Sequence, residues 1–576
     1  MMAFRKSSDL NLDVPITGEE IVMVATRFGL LVLKGLLGLG SLLLVGTALL
    51  TAADPPAAAV DPVAVRGTPG GASVRLATRI DEAIEAGWAA EHITPAPRSS
   101  DAEFLRRVSL DIAGRIPTVN ETRRFLDNPA ADKRRRLIDN LLESPGYLTN
   151  FAAMWRRALI PEAASNLRTR YLIPGFEGWL RLQLADNVPY DQFARKLLTA
   201  SQTNSSQRRF NPYAGRLSPI AFYYAKQNKP ENLAAATARV FLGVRIECAQ
   251  CHDHPFDSWK REQFWRFAAF FNRPPIQRRG TRSATLKIVR KLFERHEIKI
   301  PKTDKIVAAA FLDDSKPRWN LKNESTDVLA NWVTARDNPY FSRAAVNRIW
   351  AHFFGRGLVD PVDDFGTSNP PSHPRLLDEL SRSFIDSGFD LKFLIRAIVL
   401  SRTYQLSSRK TRPGPERPRL FSRMAVRGLS AEQVYDSLSR AIGRFEPYRG
   451  TRSYYTRNSP RQQFLSLFRN SSDKPTERQT SILQALAMMN GRLTASATDV
   501  SGSRTLAAVT LFPGFQTSAQ RIEALYLATL NRRPRADELA GLVRYVDGGG
   551  PAKKSNKALS DLFWALLNSS EFLLNH

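Results

Sequence analysis

Residues 233–271 read LAAATARVFLGVRIECAQCHDHPFDSWKREQFWRFAAFF, and the architecture turns on how that stretch is parsed. From Leu233 to Ile246 it is Ala-rich and apolar, which suits a buried helix. Glu247 to Asp257 is polar, with Pro255 marking a turn, and from Trp259 onward Phe264, Trp265, Phe267, Ala268 and Phe271 return at helical spacing. The expectation is a helix, a tight polar corner and an aromatic helix. Aromatics at that spacing are most often plain core. Beside a corner of this kind they are also candidates to wall a flat cofactor.

The corner holds both cysteines of the chain, Cys248 and Cys251, followed at once by His252. C-x-x-C-H is the attachment pattern of c-type haem: two thiols form thioethers to the vinyl groups and the histidine supplies the proximal nitrogen. Two other readings stay open. One is a local Cys248–Cys251 disulfide, structural or redox-active, the usual fate of a cysteine pair in an exported protein. The other is a metal site drawing on Cys248, Cys251, His252 or His254. It would be strained, since structural zinc sites usually take two ligand pairs from separate segments.

Helical period extends outward in both directions. Ile80, Ile84 and Trp88 recur at four-residue steps, as do Phe104, Val108 and Ile112 behind the capping residues Ser100 and Asp101. Thr118-Val119-Asn120-Glu121 has the T-x-x-E form of a capping box, predicting a helix that carries Phe125 and Leu126 on its apolar side. Between about Arg273 and Arg318 the texture changes to short β-branched runs: Ala284 to Val289, Glu297 to Ile300, and Lys305 to Ala308. Helical texture returns with Val328, Trp332, Val346, Ile349, Trp350 and Phe353. Ser407 to Arg419 and Pro447 to Lys474 read as irregular. The fold class expected is mainly α: a multi-helical two-domain protein with a small β insert between the halves. Its parts are a helical domain over 75–272, an insert over 273–320 and a second helical domain over 321–576.

Phe28 to Leu50 is almost wholly apolar and ends in Thr51-Ala52-Ala53. That predicts a signal peptide cut after Ala53, or an uncleaved membrane anchor, over 1–53. The acidic stretch before it points to a true start at Met23, and a Pro/Ala-rich linker follows over 54–74. The chain is expected to be exported, to the periplasm or cell envelope. Its net charge of +28 over 576 residues favours acidic partners. Outside the cytoplasm these are anionic lipid or acidic polysaccharide, and no nucleic-acid module interrupts the sequence.

Beyond Cys248, Cys251 and His252, the candidate distal ligands to a haem iron are His352, His373 and the thioethers of Met488 and Met489. His254 lies too close in sequence to reach the opposite face, so it is expected to bond a propionate or a backbone group. With Asp257, Asp363 and Asp364 it marks a candidate polar site, in which Asp363 and Asp364, followed by Asn369 and His373, form a cluster suited to calcium or acid/base work. A loop capping the helix after Asn369 and His373 explains the aspartates equally well. G-x-S-x-G, H-E-x-x-H and P-loop patterns are absent, and no catalytic residue is assigned.

Residues 241–257, FLGVRIECAQCHDHPFD, resemble the signature of the planctomycete-type cytochrome-like domain, and Phe104 to Val108 with Gly114 to Thr118 resemble its start. Asn338 to Arg343, Asn347 to Leu358, Val362 to Gly366, Ser401 to Tyr404, Leu525 to Pro534 and Leu567 to Phe572 are similar to the partner domain that usually follows it. The resemblance implies an exported protein without a settled activity. The family often carries further cytochrome c domains, whereas this chain has one C-x-x-C-H. Two functions therefore stand: a single-site c-type haem protein working with a redox partner protein, or a non-haem protein that binds or helps process acidic or sulfated polysaccharide.

Overall fold

The computed structural model describes residues 69–576 except 165, 201–216, 273–295, 321–322, 411–416, 445–458, 469–475 and 477–480. The apolar stretch 28–50, expected as leader or anchor, and the run 284–289 lie outside the described residues. Among those described, no helix is long and apolar enough to cross a membrane.

The protein is mainly α, with only small two-stranded ladders beside its helices. Local chemistry sets the helix starts. Thr118 Oγ1 accepts from Glu121 N at 3.1 Å while Thr118 N donates to Glu121 Oε2 at 2.7 Å, the capping box read from sequence, and the helix runs Val119–Leu126. Ser100 caps the helix Asp101–Val108 by accepting from Glu103 N. Ile80, Ile84 and Trp88 lie buried along the helix Pro69–Ala90.

Two of these helices end in the same unusual way. Asp101–Val108 continues as a π turn, Ser109–Ala113, closed by Gly114 at φ +71. Pro230–Thr237 continues as a π turn, Ala238–Leu242, closed by Gly243 at φ +70. A π turn inserts one residue into the helical ladder and re-aims the side chains that follow, and the left-handed backbone at its end suits glycine.

Of the expected β runs, Glu297–Lys299 and Ile306–Ala308 pair antiparallel, with Ile298 opposite Val307. The hairpin leans on the aromatic helix Arg261–Ala268, where Arg261 Nη2 donates to Pro301 O at 2.8 Å and Ala310 N to Arg266 O at 3.3 Å. A shorter pair, Arg427–Gly428 with Leu574–Asn575, ties the C-terminal segment into the molecule.

The apolar interior forms two clusters. One draws on residues from Leu76 to Met424, on both sides of the hairpin. The other draws on Leu429 to Phe572, with Leu110 and Ile116 from the first π turn and its exit. Packing thus divides near 424–429, whereas the sequence texture changes at 273–320. The irregular reading of 447–474 needs correction. Within it, Pro460–Leu467 is helical, started by Ser459 accepting from Gln462 N at 3.2 Å and by Pro460 in the first turn. Phe464 stacks on Phe468 with centroids 4.0 Å apart. The polar Arg, Gln and Ser residues around these rings hide the four-residue apolar spacing.

Candidate functional site: the cysteine corner

Val244 and Ile246 are buried behind Gly243 and fix the chain as it enters a 3-10 turn, Glu247–Gln250. Within that turn Ala249 points fully inward, which leaves Cys248 and Cys251 outward. Both are free thiols and both are exposed. Gln250 O accepts from Trp265 Nε1 at 3.0 Å, so the aromatic helix pins the turn from below. The rings of Phe264, Trp265 and Phe267 are buried in the first core rather than facing the thiols. They support the corner as packing and do not wall its outer side.

The two corner histidines are held in opposite tautomers. His252 Nδ1 lies 2.6 Å from Asp253 O. A carbonyl only accepts, so Nδ1 carries a proton. His254 Nδ1 instead accepts from Phe256 N at 3.2 Å, which places its proton on Nε2. Of the two, His252 turns its Nδ1 to the backbone and leaves Nε2 without a backbone partner in the turn. His254 is committed to the backbone, with its own N–H donating to Trp259 O at 2.8 Å. Asp253 closes the loop: its carboxylate accepts from Arg261 N at 2.9 Å and pairs with Lys260 at 3.2 Å. Those contacts, the Arg261 N–H first, hold its carboxyl below the usual range. Phe256, at the outer edge, is 82% exposed.

A strut from the second half of the chain meets the corner. Phe365 N donates to Gly243 O at 2.9 Å, and a Cβ on Gly243 would stand 2.7 Å from the Phe365 ring. Arg245 binds Asp363 Oδ1 through Nε at 2.9 Å and Nη2 at 2.5 Å. Asp257 lies against Gly366, whose added Cβ would meet Asp257 Oδ2 at 2.5 Å. Of the expected polar cluster, Asp257 and Asp363 thus border the same short strut. Asp364 contributes its carbonyl to Asn369 Nδ2 at 3.0 Å. The next helix, Pro374–Asp386, starts at His373 without a side-chain cap, so capping does not account for the aspartates. Glu247 is exposed, yet desolvation raises its carboxyl, opposed by a backbone hydrogen bond and then by nearby Arg239.

The other candidate ligands have their own surroundings. His352 Nε2 is 2.8 Å from Asp111 O, its ring packed on Phe151, and desolvation lowers its pKa to about 4. His373 is buried, with Nδ1 3.1 Å from Ser372 Oγ and the ring beside Phe421, and burial lowers its pKa as well. Met488 is buried in the second core, while Met489 is partly exposed. Among the described residues no group of three or more His, Cys, Asp or Glu is arranged to hold a metal ion.

Sequence reading missed a second polar assembly, centred on Asp111. Its Oδ2 accepts from Tyr404 Oη and Arg427 Nη2, each at 2.8 Å, and its Oδ1 from Asn575 Nδ2 at 2.7 Å. Neighbouring Arg106, fully enclosed, donates to the carbonyls of Thr529, Glu571 and Phe572 at 2.7 to 3.0 Å. A signal existed. Arg107 and Asp111 stand three and seven residues after Phe104, on the face whose period is otherwise apolar.

Residues 79–275 match the PSCyt2 family, described as a protein of unknown function (DUF1549), and residues 327–546 match the PSD1 family, described as a protein of unknown function (DUF1553). The two matches follow each other in the order of the planctomycete-type two-domain architecture. No curated protein matches the chain, and no solved structure does.

Proposed function

We propose that this chain is an exported c-type haem protein of the periplasm or cell envelope, serving electron transfer or redox chemistry. Cys248 and Cys251 are its attachment residues and His252 its proximal ligand. The observation that carries the reading is the pairing of two free, outward-facing cysteines on one turn with a histidine whose Nδ1 is held by a neighbouring carbonyl. The fit is chemical as well as spatial. Cys248 and Cys251 would hold the group through thioethers, an attachment that would need both sulfurs as thiols and no oxidant. Ligation needs a neutral imidazole whose remaining N–H is engaged, and Asp253 O engages it. When bound, the haem supplies a one-electron iron couple. The residues of this chain hold and orient it: the Trp265 bond to Gln250 O and the Asp253 clasp on Arg261 N keep the turn rigid.

The test is haem staining after denaturing electrophoresis, with a pyridine haemochrome spectrum, on protein exported in a host that carries cytochrome c maturation. Haem that survives denaturation in the wild type and is lost in Cys251→Ala supports the proposal. Colourless protein under those conditions ends it and moves acidic polysaccharide to first place.

A further inference from the structure

The helices Ser518–Thr529, Ala536–Asp547 and Ser555–Leu567 bring two connecting segments to one shared end. Ser518 Oγ donates to Asp547 Oδ1 at 2.5 Å, so the first residue of one helix meets the last residue of the next. The chain enters that end through 512–517 and turns back through 548–554, a turn closed by Lys554 N donating to Gly549 O at 2.8 Å. Leu511 is 68% and Phe512 63% exposed, side by side where the helix Arg504–Leu511 stops. Phe515 N donates to Phe512 O at 3.2 Å and folds the loop, leaving the two rings 6.5 Å apart. Arg521 Nε donates to Phe515 O at 3.3 Å, which sets a guanidinium against the base of the loop. In the adjoining turn and helix start, Lys553, Lys554 and Lys557 are all exposed.

The charge at this end has one sign. Residues 511–521 and 548–557 hold Arg521, Lys553, Lys554 and Lys557 and no Asp or Glu. Asp547 is turned to Ser518, and Asp561 takes Lys557 at 3.9 Å and the Tyr545 hydroxyl at 3.3 Å. Among the described residues, Arg521, Lys553 and Lys554 form no ion pair. Large apolar side chains held out in water beside a polar rim mark an interaction surface, and cations of one sign select a partner of the other. A soluble polyanion satisfies only the cations, and a second copy of this end repeats the same charge. A bilayer of anionic lipid meets both, with acyl chains for the apolar side chains and headgroups for the cations.

We propose that this end is a docking surface for an anionic membrane, with Leu511 and Phe512 entering the acyl boundary and Arg521, Lys553 and Lys554 lying on the headgroups. It rests neither on the haem reading nor on the apolar stretch 28–50.

The test reads the loop itself, because sedimentation of the full chain would also count any binding through 28–50. In full-length Cys248→Ala/Cys251→Ala protein, Gln516→Cys carries a polarity-sensitive NBD dye, and Lys316→Cys, exposed after the hairpin, carries the control label. On vesicles of equal parts phosphatidylcholine and phosphatidylglycerol at low salt, the dye at 516 shifts to the blue and that at 316 does not. Leu511→Ser with Phe512→Ser raises the lipid needed for that shift by about tenfold or more. Each cation at an anionic surface strengthens binding about fivefold, so Lys553→Gln with Lys554→Gln raises it about 25-fold. These are exposed positions, so the variants leave the core intact. Aqueous emission at 516 while the protein sediments with the vesicles overturns the proposal, as does an equal shift on phosphatidylcholine alone. A shift that appears without lipid as protein concentration rises, or with dextran sulfate in place of vesicles, overturns it in favour of a second copy or a soluble polyanion.

Discussion

The segments 101–114 and 230–243 are built alike, a helix running into a π turn and a left-handed glycine, yet they deliver opposite kinds of chemistry. Beyond the first helix, Asp111 is 2% exposed, and both its carboxylate oxygens and its carbonyl are occupied by five residues from elsewhere in the chain. Beyond the second, the thiols of Cys248 and Cys251 face solvent. Polar groups of the first kind hold the molecule together. The second kind are positioned by the fold and stand at its surface.

The largest effect is expected from breaking the buried side. Asp111→Ala strands the Tyr404 hydroxyl, the Arg427 guanidinium and the Asn575 amide in a sealed interior, and removing one partner of a buried ion pair costs about 3–5 kcal/mol. A denaturant midpoint that falls by that equivalent bears this out. A loss below about 1 kcal/mol would mean that water reaches the cluster. Asp111→Asn keeps the shape and one acceptor oxygen and should lose less.

The glycines sharpen the comparison next. At φ near +70 an alanine costs about 1–2 kcal/mol in either turn, but the surroundings differ. The added Cβ at Gly114 meets the Asn150 side chain at 2.9 Å, and at Gly243 it meets the Phe365 ring at 2.7 Å. Gly114→Ala should therefore show mainly in stability, since the Asn150 bond to Asp111 O is lost. Gly243→Ala should lower stability and also push the Asp363–Phe365 strut off the corner, seen as lower haem incorporation per folded molecule. Equal incorporation in both variants would remove the strut from the account.

How much of this was legible in sequence follows from the range of the interactions. The partners of the capping box at Thr118 and Glu121 are three positions apart, the ends of the C-x-x-C-H four, and the hairpin partners Ile298 and Val307 nine, so local pattern finds them. Asp111 is satisfied by residues 293, 316 and 464 positions away, and one-dimensional pattern shows only an acid on an apolar face. The inward turn of Phe264, Trp265 and Phe267 was open for the same reason: helical spacing states that one face is apolar, not what lies opposite it. The opposite tautomers of His252 and His254 depend on which backbone group each ring meets, which spacing does not specify.

Titration separates the two regions further. His352, bonded to the Asp111 carbonyl, is held at about 4, and His576 is also depressed to about 4 by burial. Each takes up a proton near pH 6.5 when unfolded but not when folded, so the unfolded chain binds more protons between those values. Stability contributed here is complete above about pH 6.5 and is lost progressively as pH falls toward 4. Thermal melts across that window should show the slope, and His352→Gln should flatten part of it. An unchanged slope would assign the acid sensitivity to carboxylates instead.

The smallest effects belong to the corner, and their smallness is the informative part. In haem-free protein, Cys248→Ser and Phe256→Ala change exposed side chains, so each should change the unfolding free energy by no more than about 0.5 kcal/mol. Both thiols should also react with a maleimide in the folded protein as readily as in the unfolded one. The same Phe256→Ala change made in haem-loaded protein is the sharper measurement. A ring that is 82% exposed in the bare chain can become costly to remove only if something covers it. A loss above about 1 kcal/mol in the loaded form, absent from the haem-free form, would place Phe256 under the bound group. Equal, negligible losses in both would leave Phe256 on the solvent side and confine the attachment site to the turn of Cys248, Cys251 and His252.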